Sequence, residues 1–330
     1  MNLGVTLGNK YIVSIDMGGT KILACAVNSS KGIIGRVKKP TKLGASPASY
    51  VKSLANITKD LIKELHLDEA DIKAVCLGVP GSTNPFTGRI GLAPNLGIKN
   101  YMIKDKLQSL IPFPVLTEND VNLGALGIKK FGVGKNAKNM LAVFIGTGIG
   151  GAILIDGKIY RGSNFVAGEI GHMIIEKDGP LCGCGKRGCF EAVASRSAIA
   201  KNILKDIKSG KKSILSKLVK SGDRIKSGAL AKAIREDDKV VVKHISQACE
   251  TIGRVLAGVS NLMNFDMIVL GGGLIEALEH FMLPKIKASF NENVMADSGK
   301  GLRIVPARLG DEAAIFGGIL LAEEFLNIKV

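Results

Sequence analysis

Apolar runs that are interrupted by glycine turns predict alternating strands and helices along this chain. Tyr11–Val27 has the pattern of a β-branched strand, a turn at Met17–Thr20 and a second strand that returns antiparallel. The same pattern recurs at Leu141–Ile155, again with a turn that contains glycine and threonine. We therefore interpret the chain as an internal duplication in which a hairpin begins each half.

Helical and strand patterns alternate after each hairpin. Helical spacing of apolar residues predicts helices over Ser46–Leu67, Ala192–Lys208 and Asp237–Met263. Buried strands are predicted at Ile72–Val79, at Phe113–Leu116, before Gly271–Gly273 and at R-I-V-P-A near the C-terminus. A long C-terminal helix follows and is expected to pack on the N-terminal half. The pattern predicts two α/β lobes with a cleft between them.

One short stretch, Glu169–Glu191, combines an imidazole, three thiols and two carboxylates. The candidate metal ligands are His172, Cys182, Cys184 and Cys189. One imidazole and three thiolates complete a tetrahedral zinc shell, and such a filled shell is structural because no position stays open for water. A disulfide would leave one thiol over, and three packed cysteines are the other alternative. Zinc in this loop would hold the two flanking glutamates in place.

The two glycine turns are candidate phosphate-binding elements. Amides at Gly18 and Gly19, with the Thr20 hydroxyl, can form an anion-binding nest, although a hairpin turn also favours two glycines. Gly146, Gly148 and Gly151 match G-x-G-x-x-G, but a dinucleotide-binding fingerprint must open a helix and here a strand follows. We therefore exclude a dinucleotide site and predict that the two glycine turns bind one phosphate chain from both sides.

A group of polar residues lies between the predicted strand at 113–116 and the next helix: Glu118, Asn119, Asp120 and Asn122. The end of a strand is where substrate groups gather in α/β folds. Asp120 has two interpretations, a substrate-binding carboxylate and an N-cap that accepts backbone amide bonds. Asn95 is likewise either a turn former or a polar contact.

Composition and charge restrict the class of protein. The chain has 330 residues, 46% of them hydrophobic and 22% charged, and no leader pattern or apolar run of membrane-spanning length. We expect a cytoplasmic globular protein that binds no membrane. The formal net charge is +16, and residues 201–243 carry about half of it. This basic segment is either a solvated helix face or attracts anionic substrates, and no recognition element for nucleic acid accompanies it.

Five motifs occur together in one order. D-M-G-G-T-K at Asp16–Lys21, E-N-D-V-N at Glu118–Asn122, G-T-G-I-G-G at Gly146–Gly151, and E-I-G-H with C-G-C-G-K-R-G-C-F-E resemble the ROK family of sugar kinases and repressors. The resemblance spans essentially the whole chain. It implies an actin/hexokinase-like (ribonuclease H-like) duplicated fold, with a smaller lobe at 1–117 that is completed by a helix at about 311–330. Residues 118–310 would form the larger lobe, including the zinc-binding loop 169–191.

The same resemblance implies phosphoryl transfer from ATP with Mg²⁺ to a hexose hydroxyl, most simply from glucose to glucose 6-phosphate, with Asp120 as general base. The sugar would be held by Gly81, Asn95, Asn119, Asp120, Glu169, His172 and Glu191. ATP would contact Asp16, Gly18, Gly19, Thr20, Lys21, Gly146, Thr147, Gly148 and Gly272, and Asp16 would reach magnesium through water. Structural Zn²⁺ would be ligated by His172, Cys182, Cys184 and Cys189.

Several alternatives stay open within this interpretation. The acceptor could be fructose, N-acetylmannosamine or allose, the donor could be polyphosphate, and a sugar-sensing regulator could bind without turnover. Family repressors carry a winged helix-turn-helix ahead of the core, whereas here the first strand begins by Tyr11, which favours an enzyme. The resemblance also implies a homodimer or a dimer of dimers.

Overall fold

The computed structural model describes residues 10–220 and 224–330. The predicted lack of a leader concerns residues 1–9, and part of the basic segment is 221–223; both lie outside the described residues. The strands are β1 (Tyr11–Met17), β2 (Lys21–Asn28), β3 (Gly32–Pro40), β4 (Ile72–Val79), β5 (Ser82–Thr83), β6 (Arg89–Ala93), β7 (Ile98–Met102), β8 (Val115–Asn119), β9 (Met140–Ile145), β10 (Ile149–Ile155), β11 (Lys158–Tyr160), β12 (Met267–Gly271) and β13 (Arg303–Pro306). The α-helices are α1 (Pro47–Glu64), α2 (Ile103–Gln108), α3 (Asp120–Phe131), α4 (Phe190–Ala194), α5 (Arg196–Lys208), α6 (Ser216–Lys220), α7 (Ser227–Arg235), α8 (Lys239–Met263), α9 (Gly273–Asn293), α10 (Ala296–Gly299) and α11 (Glu312–Leu326).

Two five-stranded sheets have the same strand order. The first sheet runs β3-β2-β1-β4-β8 and the second runs β11-β10-β9-β12-β13. In each sheet the opening hairpin is antiparallel. The parallel pairs are β1 with β4 and β4 with β8 in the first sheet, and β9 with β12 and β12 with β13 in the second. Both predicted hairpins are present, since β1 pairs with β2 and β9 pairs with β10. The internal duplication predicted from the glycine turns is thus confirmed at the level of topology.

The chain divides into two compact units. Unit 1 comprises Met1–Lys135, Arg161–Ala167 and Asp311–Val330, and unit 2 comprises Asn136–Tyr160 and Gly168–Gly310. Each unit has its own buried apolar cluster against its five-stranded sheet. Among the described residues, no helix combines the length and the apolar character needed to cross a bilayer.

Helix α3 belongs to unit 1, whereas the predicted boundary after residue 117 assigned it to the second lobe. The reason is its close packing on α11. A Cβ placed on Gly127 of α3 would lie 1.9 Å from the carbonyl oxygen of Ala313, and one on Gly317 would lie 1.9 Å from that of Leu123. Glycine at both positions lets the two helix backbones approach closely, and α11 also contacts β1 as predicted for the C-terminal helix.

Three local predictions differ from the structure. In the segment after β4, the turn dipeptides N-P, T-G and P-N predict a loop, whereas the structure contains the antiparallel sheet β5-β6-β7. The helix predicted at 192–208 is two helices, because Ser195 leaves the helical conformation and accepts a hydrogen bond from the Ala198 amide to cap α5. The strand predicted at 113–116 begins later, at Val115, after Pro114, which has no amide to donate. Consequently β8 extends to Asn119.

Candidate active site

The junction between β8 and α3 carries the polar pair Asn119 and Asp120. The Asn119 Oδ1 atom accepts hydrogen bonds from the amides of Val121 at 2.9 Å and Asn122 at 3.1 Å, so Asn119 is the N-cap of α3. Its Nδ2 group donates to the carbonyl of Gly81 at 3.1 Å. Asp120 is the first residue of the helix, and its Oδ1 accepts from the Val121 amide at 3.0 Å. The capping role considered for Asp120 therefore belongs mainly to its neighbour.

A buried ion pair supports this junction. Glu118 is 1% exposed, and its Oε1 accepts from the Asn119 amide at 2.8 Å and from Asn122 Nδ2 at 3.0 Å. Its Oε2 accepts from Arg161 Nε at 2.7 Å. The other two guanidinium nitrogens of Arg161 donate to the carboxylate of Glu324 at 2.8 and 3.0 Å. Arg161 thus ties the carboxyl end of β8 to α11 with all three of its nitrogens.

Asp16 lies at the end of β1, close enough to Asp120 for the two carboxylates to interact. Burial, with a smaller contribution from the Asp120 charge, raises the pKa of Asp16 to about 7, and nearby Lys21 opposes that shift. Lys21 pairs with Asp311 in the same unit. A cation beside Asp16, either a basic side chain or a metal ion, would favour its ionised form. This fits a carboxylate placed next to a cation–phosphate complex.

The first glycine turn connects β1 and β2. The Gly18 amide donates to the carbonyl of Lys21 at 2.9 Å, and the Thr41 hydroxyl donates to the Gly18 carbonyl at 2.7 Å. Thr20 is exposed at the tip. A Cβ on Gly19 would lie 3.8 Å from the Cβ of Asn95, so the structure brings the predicted phosphate turn beside a predicted sugar contact.

The second glycine turn, Gly146–Gly148, is held by an arginine that the sequence analysis missed. The Arg196 amide donates to the Gly146 carbonyl at 3.0 Å, and its Nη2 donates to the Thr147 hydroxyl at 2.6 Å. No atom lies within 4 Å of a Cβ built on Gly146, so space is open beside that residue. Gly272, the N-cap of α9, adopts φ 86° and packs on the backbone of Ile145 at the end of β9.

Glu191 joins this turn to the cysteine-rich loop. Its Oε2 accepts from the amide of Ile149 at 2.9 Å, and the Cys182 thiol lies 3.8 Å from its Oε1. A Cβ on Gly148 would lie only 2.0 Å from Glu191 Oε2. The absence of a side chain at Gly148 therefore creates the space that this carboxylate occupies.

The four candidate metal ligands cluster as the sequence predicts. Their ligand atoms all lie within 4.8 Å of one another. The Sγ atoms of Cys184 and Cys189 are 3.6 Å apart, and Cys182 Sγ is 3.7 Å from His172 Nδ1. A tetrahedral centre with metal–sulfur bonds of about 2.3 Å places its ligands about 3.8 Å apart, so the geometry fits a closed four-ligand metal site.

The two ring nitrogens of His172 face different groups. Nδ1 faces the thiol of Cys182, while Nε2 lies 3.7 Å from Glu169 Oε2. Burial raises the pKa of Glu169, His172 lowers it, and the charge of Glu191 raises it. Ligation through Nδ1 would leave Nε2 and the glutamates together on one side of the metal site.

Comparison with known proteins identifies the family. The profile of the ROK family matches residues 12–325. The chain belongs to the ROK family. It is 31% identical over 322 residues to a protein of Halalkalibacterium halodurans named glucokinase, covering 97% of each chain. It is also 28% identical to a xylose repressor of Caldicellulosiruptor bescii, covering 94% of this chain and 77% of the repressor.

A solved structure supports the predicted fold class. The ROK family glucokinase of Streptomyces griseus, solved in complex with glucose and AMPPNP, matches with a TM-score of 0.82 and 28% identity, covering 95% of this chain and 99% of that one. The actin/hexokinase-like fold predicted from the motifs is thereby confirmed.

The predicted site residues of this ROK protein form two groups, one in each unit. Unit 1 carries Asp16, Gly18, Gly19, Thr20, Lys21, Gly81, Asn95, Asn119 and Asp120, and unit 2 carries Gly146, Thr147, Gly148, Glu169, His172, Cys182, Cys184, Cys189, Glu191 and Gly272. Within unit 1 the structure links Asp16 with Asp120, Gly19 with Asn95 and Gly81 with Asn119. Within unit 2 it links the second glycine turn, Glu191 and the metal cluster. A buried carboxylate such as Glu118 signals that a cation must pair with it, but Arg161 lies too far along the sequence to be identified in advance.

Proposed function

We propose that this ROK protein is a sugar kinase that transfers the γ-phosphoryl group of ATP to a hydroxyl of a hexose, with glucose as the first candidate. The observation that carries the proposal is the Asn119–Asp120 junction, where the asparagine caps the helix and the aspartate stands beside Asp16. Relatives named glucokinase, 31% identical in the case of Halalkalibacterium halodurans, support it independently.

Asp120 is the general base in this proposal. A sugar alcohol is a poor nucleophile, so a carboxylate that accepts its proton as the loose phosphoryl transition state forms lowers the barrier. Amides of the turns at Gly18–Gly19 and Gly146–Gly148 would hold phosphate oxygens, with Thr20, Thr147 and Lys21 beside them. When bound, Mg²⁺ offsets charge on the phosphate oxygens, and Asp16 is the residue that would hold it, through water.

Sugar recognition is assigned to side chains that can pair with several hydroxyl groups. Asn119, Glu169, His172 and Glu191 would hold the sugar, and Gly81 and Asn95 would line its pocket. Each carboxylate can accept two hydroxyl hydrogen bonds, and a polar site that is left unpaired strongly rejects a sugar that lacks or inverts that hydroxyl. The Nε2 face of His172, which lies near Glu169, is the side available for this role.

Zinc is the metal proposed for the cluster formed by His172, Cys182, Cys184 and Cys189. Three thiolates and one imidazole form a donor set that suits Zn²⁺, and the four ligand atoms complete its coordination. These residues would hold the loop rigid and thereby position Glu169 and Glu191. No step of the reaction passes through the metal.

The deciding experiment is ADP production by purified protein with Mg²⁺ and ATP across glucose, fructose, mannose, N-acetylglucosamine, N-acetylmannosamine and allose, with a control that contains no sugar. One clearly preferred sugar would establish both the reaction and the acceptor. Turnover with polyphosphate in place of ATP would change the donor and leave the acceptor chemistry in place. Light scattering on the same sample tests the homodimer that the family implies.

A second candidate is a sugar-responsive regulator that binds without turnover. The 28% identity to a xylose repressor favours it. Calorimetric binding of a sugar by a protein that gives no ADP with any sugar and either donor would support this alternative. The presence of Asp120 and both glycine turns argues against it, since binding alone requires neither.

A further inference from the structure

Unit 1 contains a cavity of about 300 Å³ that none of the roles above uses. It is lined by Ser82, Thr83, Asn84, Arg89, Gly91, Asn164 and Phe165. Its volume lies at the lower end of small-molecule sites, which measure about 300–1,000 Å³, so it suits a monosaccharide-sized ligand better than a nucleotide.

Ser82 and Asn84, two polar residues of the cavity wall, can offer a ligand mainly hydrogen-bond donors. The Oγ of Ser82 accepts from the Leu92 amide at 2.9 Å, and Oδ1 of Asn84 accepts from the amides of Phe86 at 3.0 Å and Thr87 at 3.1 Å. Oδ1 of Asn84 thus has both acceptor positions filled and Ser82 Oγ has one filled, while the Ser82 hydroxyl hydrogen and the Asn84 Nδ2 group remain for a ligand. No lining residue is acidic. Such a wall favours an anion.

Two lining side chains lack partners among the residues that the structure describes. Thr83 is 1% exposed, and no group hydrogen-bonds to its Oγ1. Arg89 is exposed, and within the described parts of the chain its guanidinium has neither an ion pair nor a hydrogen bond. A buried hydroxyl is normally paired, so Thr83 is an unexplained group in the wall of a cavity that already holds an arginine.

The aromatic wall is held in a rare backbone conformation. Phe165 adopts φ 60°, which is uncommon for a bulky residue. Its ring packs on Phe86 with centroids 5.6 Å apart, and Phe86 in turn packs on Phe325 at 5.4 Å. Backbone strain of this kind persists where surrounding packing enforces it, and it clusters at ligand sites. The ring gives the cavity one apolar face beside its donors.

We propose that this cavity is a second binding site, for a phosphorylated monosaccharide. Arg89 and the two asparagine amides would bind the phosphate group, because charge-assisted hydrogen bonds to an arginine fork suit its geometry. Phe165 would pack against the sugar ring. The choice of a sugar phosphate rests on the proposed kinase function, whereas the binding of phosphate rests on the donors alone.

The proposal is tested by isothermal titration of the whole protein with inorganic phosphate, glucose 6-phosphate and glucose, without ATP or Mg²⁺. We expect Arg89→Gln to weaken both phosphate-bearing ligands at least tenfold and to leave glucose affinity unchanged. Thr83→Val keeps the side-chain shape and should weaken both about threefold. Phe165→Leu should weaken glucose 6-phosphate alone. Circular dichroism checks that each variant is folded.

Arg303→Gln is the matched control, because Arg303 is an exposed arginine of unit 2 whose guanidinium likewise has no partner among the described residues. It should bind all three ligands as the wild type does. The titrations with glucose 6-phosphate are repeated in excess glucose, which removes binding at the acceptor site. If phosphate binds through Arg89 in a protein without kinase activity, the second site stands and the proposed function falls.

Three results would overturn the proposal. The first is that neither phosphate-bearing ligand binds the wild type at millimolar concentration. The second is that Arg303→Gln weakens binding as much as Arg89→Gln does. A loss of glucose affinity in Arg89→Gln would show that the cavity is part of the acceptor-sugar site.

Discussion

At the scale of single residues, neighbouring polar side chains have separate tasks. Asn119 caps α3 and binds the Gly81 carbonyl, while Glu118 is buried and paired with Arg161. The sequence could locate this polar group because it follows a buried strand. It could not divide the tasks, since the cap and the buried carboxylate depend on where β8 ends.

Asp120→Asn tests the general base. We expect kcat to fall by about 10² to 10⁴-fold, because the amide cannot accept the hydroxyl proton. The fold should be retained, since an asparagine oxygen can still accept from the Val121 amide. ADP release gives kcat, and thermal denaturation gives stability. Asp105→Asn, in the first turn of α2, is the control. Near-wild-type turnover in Asp120→Asn would refute the assignment.

Arg161→Met tests the buried ion pair. Removing the cation leaves Glu118 charged and buried, and we expect the free energy of unfolding to fall by about 3–5 kcal/mol. Urea denaturation measures it. Arg308 also forms a bidentate ion pair, with Glu279, but its side chain is 61% exposed. Arg308→Met should therefore lower the free energy of unfolding by less than about 1 kcal/mol. Equal losses in the two variants would contradict this account.

Asp16 predicts a pH dependence of stability in the absence of ligands. Its pKa is about 7 in the folded protein and about 3.9 when unfolded, so between these values the native state binds more protons. Stability should therefore fall as pH rises from about 4 to 7, by at most about 4 kcal/mol from this group. Asp16→Asn removes the effect. At pH 8 the variant should be the more stable protein, and near pH 4 the two should agree.

Urea denaturation at both pH values, without Mg²⁺ or nucleotide, measures this difference. Asp311→Asn is the control, because Asp311 is exposed and contributes only a minor part of the shift at Asp16. If the free energies of unfolding of the wild type and Asp16→Asn differ by the same amount at pH 4 and pH 8, burial does not raise this pKa.

At the scale of elements, the glycine turns were predictable and the short strands were not. Both hairpins show long apolar strands around a glycine turn, and this signal is local. Strands β5, β6 and β7 are short and lie among N-P, T-G and P-N turn residues, which predict a loop. The break at Ser195 was missed because apolar helical spacing continues across it.

Gly148→Ala tests the contact between the second turn and Glu191. The new methyl group would meet the Glu191 carboxylate, so that side chain must move and release the Ile149 amide. We expect kcat/KM for the sugar to fall at least tenfold, in line with the effect of misplacing a positioning group. Steady-state kinetics measure it. Gly258→Ala in α8, where a Cβ meets no atom within 4 Å, should leave kcat/KM unchanged. If kcat/KM is unchanged in Gly148→Ala, the backbone of the turn shifts to accommodate the methyl group and the Glu191 carboxylate keeps its position.

At the scale of the whole molecule, the duplicated sheets could be predicted because the hairpin motif occurs twice. The assignment of α3 to unit 1 could not, since it depends on α3 packing against α11 through Gly127 and Gly317, which are far apart in sequence. The segment Arg161–Ala167 belongs to unit 1 although both of its flanking segments belong to unit 2. Nothing in its local sequence indicates this.

The metal cluster is predicted to stabilise the protein as a whole. Protein purified without chelator should contain close to one zinc per chain, and Cys184→Ser should lower that content, because a hydroxyl is a poor replacement for a thiolate ligand. Since metal binding to a native site adds to folding free energy, the variant and the chelator-treated wild type should both unfold at lower temperature. Elemental analysis and calorimetry measure the two effects.

Cys25→Ala separates ligand loss from cysteine loss, because Cys25 is fully buried in the core of unit 1 and lies outside the cluster. It should retain its zinc even if its packing is weakened. If zinc also holds Glu169 and Glu191 in place, Cys184→Ser should raise KM for the sugar more than KM for ATP. Undiminished zinc in Cys184→Ser would remove that residue from the ligand set. Lost zinc with unchanged sugar kinetics would show that the metal supports the loop without positioning the glutamates.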